Sequence, residues 1–160
     1  MPSYIGFIPT PPDCVEGFFE LVTPGPSDVV YDLGSGDGRL LFAALKKGAG
    51  KVVGVDLNPE LVQQAKETAR LGGLQDRATF IQGDVMDVDL SDATMVFFYL
   101  FPTASEALKP KLEKELKPGS IVVIESFYID EWQHIKSIDK GGKSFFLYKM
   151  PAQHREKFVF

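Results

Sequence analysis

Three glycines, Gly34, Gly36 and Gly38, alternate with Ser35 and Asp37 immediately after the apolar run Val29-Val30-Tyr31-Asp32-Leu33. A short Val-rich run of this kind reads as a buried strand, and glycines spaced by one residue let the backbone turn sharply and come close to a ligand. Dinucleotide-binding turns use a related spacing, Gly-x-Gly-x-x-Gly or Ala, with pyrophosphate seated on the helix that follows. Here the last position of that pattern is Arg39, and Asp32 and Asp37 bring negative charge to the same spot. That charge suits a ligand carrying an ammonium group and a sulfonium. Asp56 lies 22 residues after Gly34 and closes the run Val52-Val53-Gly54-Val55. A carboxylate there can accept hydrogen bonds from both hydroxyls of a ribose. The competing reading, a cap for the next helix, is already served by Asn58. Asp84 follows Phe80-Ile81-Gln82-Gly83 in a third run, where Gly-Asp also reads as a turn. Three acids at the ends of three successive buried runs are far more specific than any one of them.

The elements that must bring these acids together alternate short strands with helices, the rhythm of a parallel sheet with covering helices. Val15, Phe18, Phe19 and Val22 share one face of a first helix predicted over about 11–22, with Thr10 as N-cap and Thr23-Pro24-Gly25-Pro26 as its stop. Strands are expected over 28–33, 51–56, 78–84, 93–99 and 120–126. Helices are expected over 39–47, 58–70 and 103–116. The tail reads as a hairpin, 133–138 and 143–150, around the turn Asp139-Lys140-Gly141-Gly142.

The chain has 160 residues, 44% of them apolar and 24% charged, which fits one globular domain, 1–160. No apolar run approaches the length of a membrane span. The N-terminus lacks the basic flank and apolar stretch of a signal peptide. Cys14 is the one cysteine, so no internal disulfide forms, and it reads as a small packing residue. Net charge is −5 without a dense Lys/Arg run, which disfavours nucleic acid as a partner. These features predict a cytoplasmic monomer with no membrane association. No His/Cys/Asp cluster has metal-ligand spacing, and His134 and His154 read as structural or solvated.

The glycine spacing with Asp32 resembles the first motif of S-adenosylmethionine (SAM) dependent methyltransferases. Two more segments narrow the likeness: Tyr4-Ile5-Gly6-Phe7-Ile8-Pro9-Thr10-Pro11, and the Lys109-Pro110-Lys111 to Lys117-Pro118-Gly119 helix, whose charges also read as a solvated face. Over about Tyr4 to Met150 the chain is similar to the small archaeal protein-lysine methyltransferases related to Dot1. It is more distantly similar to mitochondrial lysine methyltransferases of the ATP synthase c-subunit. The resemblance implies an α/β, Rossmann-like, seven-stranded and mostly parallel sheet with helices on both faces and a C-terminal antiparallel hairpin. It implies SAM as methyl donor, S-adenosylhomocysteine as product, no metal, and protein substrates with exposed lysines. Thr10, Asp32, Gly34 and Gly36 would line the methionine end. Asp56 would hold the ribose, Asp84 with the backbone N–H of Val85 the adenine, and Leu57 would also contact the cofactor. The N-terminal segment 1–22 would close over the site, leaving 151–160 as a tail.

In that family the exit of strand four faces the transferred methyl group. Enzymes acting on exocyclic adenine or amide nitrogens carry Asn-Pro-Pro-Tyr or Asp-Pro-Pro-Tyr there; this chain has Tyr99-Leu100-Phe101-Pro102. Phe97 and Phe98 read as core. Tyr99, bordering cofactor and acceptor, and Phe101 stand at the exit, with Tyr4 and Phe7 expected opposite. An aromatic slot of this kind desolvates an amine and lowers its pKa. Glu125 or Ser126, closing strand five, would guide the acceptor; a solvated strand end is the equal alternative. Tyr99 and Glu125 are therefore the candidate catalytic residues, and Tyr4, Phe7 and Phe101 the candidate acceptor contacts. A small-molecule or RNA methyltransferase, or a non-catalytic SAM-binding module, would share the same donor residues.

Overall fold

Burial on both faces makes strands of parallel sheets continuously apolar, and Val30–Leu33, Val52–Val55, Met95–Phe98 and Val122–Glu125 are each buried throughout. The computed structural model describes residues 12–99 and 102–154, the side chains of 12–14 excepted. Helix α1 (Pro12–Leu21) leads into β1 (Val29–Leu33), α2 (Arg39–Lys46), β2 (Lys51–Asp56), α3 (Pro59–Leu71) and β3 (Ala78–Gln82). After a 3₁₀ turn (Val85–Asp87) come β4 (Met95–Phe98), α4 (Pro102–Glu115), β5 (Ile121–Glu125), β6 (Lys136–Lys140) and β7 (Lys143–Lys149). They form one seven-stranded sheet in the order β3-β2-β1-β4-β5-β7-β6. Only the pairings of β7 are antiparallel. The mostly parallel α/β sheet with a closing hairpin is therefore the architecture expected from sequence.

Two half-cores flank the sheet. On one face, α1, α2 and α3 bury Phe18, Phe19, Leu41, Ala44, Val62 and Ala65 against Val30, Val52, Phe97, Val123 and Phe145. On the other, Leu108 and Leu112 of α4 join Leu90, Ile129 and Trp132 over Leu33, Val55, Phe98, Ile124 and Tyr148. Phe97 and Phe98 thus alternate between the two cores as packing residues, as expected. The charges of α4 are not simply a solvated face. Glu113 accepts from the Trp132 indole at 2.8 Å, Lys109 pairs with Glu131, and Glu115 accepts from the Leu90 N–H at 3.0 Å. These contacts pin the β5–β6 connection and the β3–β4 connection to the helix.

Element boundaries differ from expectation in instructive places. β6 runs two residues beyond its expected end because the hairpin closes on Gly141-Gly142 alone, both at positive φ (59° and 76°). That conformation is the two-residue turn whose twist matches paired strands. It leaves Lys140 opposite Lys143 rather than in the turn. β3 stops at Gln82, short of Asp84.

Gly17 explains how α1 seats on the sheet. A Cβ there would lie 2.3 Å from the ring of Phe145, which is fully buried and edge-on to Phe18. Gly17→Ala should gain about 0.5–1 kcal/mol of helix propensity yet lose about 1–3 kcal/mol to overpacking. The net expectation is a lower melting temperature, with Phe145→Leu in the same chain recovering part of it. A Gly17→Ala protein that melts above wild type would show that α1 does not pack there.

Candidate functional site

Strand order reverses between β1 and β4, which pair in parallel from Val30–Met95 to Leu33–Phe98. The crevice beyond the carboxyl ends at such a reversal is where open α/β sheets bind ligands. The loop leaving β1 has Gly34, Gly36 and Gly38 at φ 93°, 56° and 86°, a region that side-chain-bearing residues seldom enter. Its descent onto β2 is fixed by the N–H groups of Gly34 and Ser35, which both donate to the Val55 carbonyl at 2.8 and 3.0 Å. Gly54 permits that approach: a Cβ there would meet Ser35 Oγ at 2.6 Å.

Asp56 completes the staple. Its Oδ2 accepts from the Gly36 N–H and its Oδ1 from the Asn58 N–H, each at 2.9 Å. Asn58 caps α3 through the N–H groups of Glu60 and Leu61, as expected. Each Asp56 oxygen keeps a second lone pair for a hydroxyl donor. The Gly83 N–H donates to the Asp56 carbonyl at 2.9 Å, so the ends of β2 and β3 stay side by side. Leu57, 42% exposed, stands on this rim with Asp84 and Val85. Asp84 does not end a strand. It lies two residues beyond β3 and caps the 3₁₀ turn by accepting from the Met86 N–H at 2.9 Å, so it is also the turn residue that Gly-Asp signals.

The two acids expected to charge the glycine loop behave differently. Asp37 is balanced within the loop: it accepts from Arg39 Nε at 3.1 Å and Nη2 at 2.7 Å, and these bonds hold its carboxyl below the usual range. Its contribution to a ligand cation is therefore smaller than the sequence suggests. Asp32 is buried, with Gly54 and Phe97 as its register neighbours. Burial, then the charge of Asp56, then that of Glu125 push its carboxyl well above the ordinary carboxylate value. Among the described residues no hydrogen bond or ion pair reaches it.

On the far side of the reversal, β4 and β5 pair from Met95–Ile121 to Phe98–Ile124, which brings Tyr99 to the level of Glu125. Tyr99 is 50% exposed, whereas Glu125 is buried. The structure thus collects Asp32, Gly34, Gly36, Asp56, Tyr99 and Glu125 along one edge of the sheet, with Leu57, Asp84 and Val85 at its β2–β3 end. Thr10, Tyr4, Phe7 and Phe101 lie outside the described residues. Phe127 was missed from sequence. Its ring stacks on Tyr99 with centroids 6.3 Å apart and planes 11° from parallel. Sequence offered only its position, an aromatic just past the exit of β5, and not the turn that places it. Among the described residues no group of acids, histidines and cysteines could hold a metal.

Asp32 gives a test with a defined sign. Its proton is held more tightly in the folded than in the unfolded chain, so stability falls as pH rises from the ordinary carboxylate pKa through the raised one. Ligand-free Asp32→Asn is therefore expected to melt above wild type at neutral pH, the difference closing toward about pH 4. Its affinity for SAM should drop by about 1.5–3 kcal/mol, the scale of a bond to a charged group. An Asp32→Asn protein less stable than wild type at neutral pH would refute the unbalanced charge.

Comparisons with known proteins fit this geometry. A protein-lysine N-methyltransferase of Saccharolobus islandicus is 37% identical over 148 residues, 91% of this chain and 92% of its own. The adenine nucleotide translocase lysine N-methyltransferase of Mus musculus is 35% identical over 79% of this chain, which spans 55% of that longer protein. In structure, an RNA methyltransferase from Salinibacter ruber in complex with S-adenosyl-L-homocysteine superposes with a TM-score of 0.86 at 35% identity, over 96% of this chain and all of that one. The family model for the ANTKMT methyltransferase domain matches residues 32–136, from the first acid of the glycine loop to the start of β6. The chain belongs to the ANTKMT methyltransferase domain family.

Proposed function

We propose that this methyltransferase moves the methyl group of SAM to lysine side chains of proteins. The observation that carries the donor half is Asp32, a buried carboxylate that lacks a partner among the described residues and that a cationic ligand would balance. The donor fits the residues present. Asp32 with the backbone of Gly34 and Gly36 faces its ammonium end. The free lone pairs of Asp56 take the ribose hydroxyls, and Leu57, Asp84 and Val85 border the adenine. Bound there, SAM supplies a methyl group activated by the sulfonium.

The chain's own residues then act on the acceptor. Tyr99, beside the reversal point, strips water from an incoming amine, which favours the neutral form with a free lone pair. Glu125 draws in the lysine and receives its proton, directly or through water. Alignment for in-line displacement is worth about 7–11 kcal/mol in the most favourable cases. Support for lysine comes from the Saccharolobus and mouse relatives, whose names carry that activity, and from the aromatic exit of β4. The Salinibacter structure supports an RNA acceptor instead. Net charge of −5 disfavours it, because RNA binding draws on basic surface.

Isotopically labelled SAM incubated with cell protein and, separately, with cell RNA decides between them. Tryptic peptides should gain methyl masses on lysine; label confined to RNA or to small metabolites would overturn the lysine assignment. Tyr99→Ala should lower the rate of methyl transfer about tenfold or more while SAM affinity changes little, as for contacts made mainly in the transition state. An equal loss in both would place Tyr99 in donor binding alone.

A further inference from the structure

Ser126 is the single non-glycine residue at positive φ among those described, at 70°. The Phe127 N–H donates back across it to the Glu125 carbonyl at 2.9 Å. An i to i+2 hydrogen bond around a residue of positive φ is a γ-turn of the rare, strained form. Strain of this kind persists only where surrounding structure over-determines it, and it gathers at functional sites. Here the surroundings are explicit. The Ser126 N–H donates to the Ser144 carbonyl at 2.7 Å, fastening the turn to β7. Just downstream, the Ile129 N–H donates to the Tyr148 hydroxyl at 3.1 Å, and Trp132 and Glu131 are held by Glu113 and Lys109 of α4. Anchored on both sides, the turn swings the chain off the sheet edge and lays Phe127 on Tyr99.

We propose that Phe127 is a specificity-determining residue of the acceptor site, held by the γ-turn at Ser126 so that its ring and that of Tyr99 form one apolar wall beside Glu125. The proposal rests on the lysine assignment above and names the part of the site that selects the side chain. The rings are 6.3 Å apart. A methylene chain between them would need two contacts of about 3.5–4.0 Å each, more than that gap allows. The alkyl stem of the acceptor therefore runs along the pair, not between its members. Running along two near-parallel rings favours an unbranched stem, as in lysine, and leaves the amine at the edge where Tyr99 and Glu125 meet.

The test uses the full chain, labelled SAM and total cell protein as the acceptor probe, with lysine methylation read by peptide mass. Phe127→Ala and the bulkier Phe127→Leu should both raise the half-saturating protein concentration about tenfold, on the scale of a lost aromatic anchor. SAM affinity by calorimetry should stay within about twofold, since loss at such an anchor is confined to the acceptor. Phe127→Tyr should restore the wild-type value. Ser126→Gly, which adopts positive φ without strain, should keep acceptor affinity and melt higher, whereas Ser126→Val should lose acceptor affinity. A wild-type protein that labels no lysine removes the lysine assignment and this inference with it. A wild type that labels lysine alongside folded Phe127→Leu and Phe127→Ala proteins of unchanged half-saturation overturns the inference alone.

Discussion

A carboxylate buried without a cation is the constraint around which this fold is arranged. Asp32 occupies a core position of β1, where its register neighbours are a glycine and a phenylalanine. After burial, the groups that push its carboxyl up are two more acids, Asp56 and Glu125, so the folded chain carries an electrostatic cost for keeping all three on one edge. Burial disfavours an isolated carboxylate strongly enough that such groups protonate or find a cation. A methyl donor with an ammonium and a sulfonium is the cation that this family's chemistry brings. That cost is offset when the cationic ligand binds, and so contributes to its affinity.

Everything near Asp32 serves to hold that edge in shape. Two N–H groups of the glycine loop share the Val55 carbonyl, and the Asp56 carboxylate ties the same loop to the start of α3. The three glycines at positive φ make the loop's path possible, and Gly54 opens the space beneath it. On the acceptor side the logic is reversed. There the chain leaves β5 through a strained turn, and α4 and β7 hold the connection against relaxation. A stapled glycine loop and a strained turn thus flank the point where strand order reverses.

Much of this was legible in the residues. The alternation of Val-rich runs with amphipathic segments yields the sheet and its helices, because burial on both faces leaves a strong compositional mark. The convergence of the glycine loop with Asp32 and Asp56 was readable for the same reason: glycine spacing and acids in or closing buried strands are local patterns. What escaped was side-chain pairing and backbone detail, some of it local and some long-range. Arg39 neutralises Asp37, a pairing two residues apart that a charge count alone does not reveal. Asp84 caps a 3₁₀ turn because β3 ends early. The stacking of Phe127 on Tyr99 depends on a backbone conformation at Ser126 that a serine rarely adopts and no propensity forecasts. Lysine and glutamate along α4 look like a solvated face until the β5–β6 connection folds over them.

The most direct test of the central claim is the proton balance of donor binding. Calorimetry of SAM binding, repeated in buffers of different ionisation enthalpy from about pH 5 to about pH 8, counts the protons exchanged. If the arriving cation draws the proton off Asp32, binding releases a proton in the window between the ordinary carboxylate pKa and the raised one, and Asp32→Asn abolishes that release. Binding by the wild-type protein with no proton exchange at any pH in the range would contradict the account.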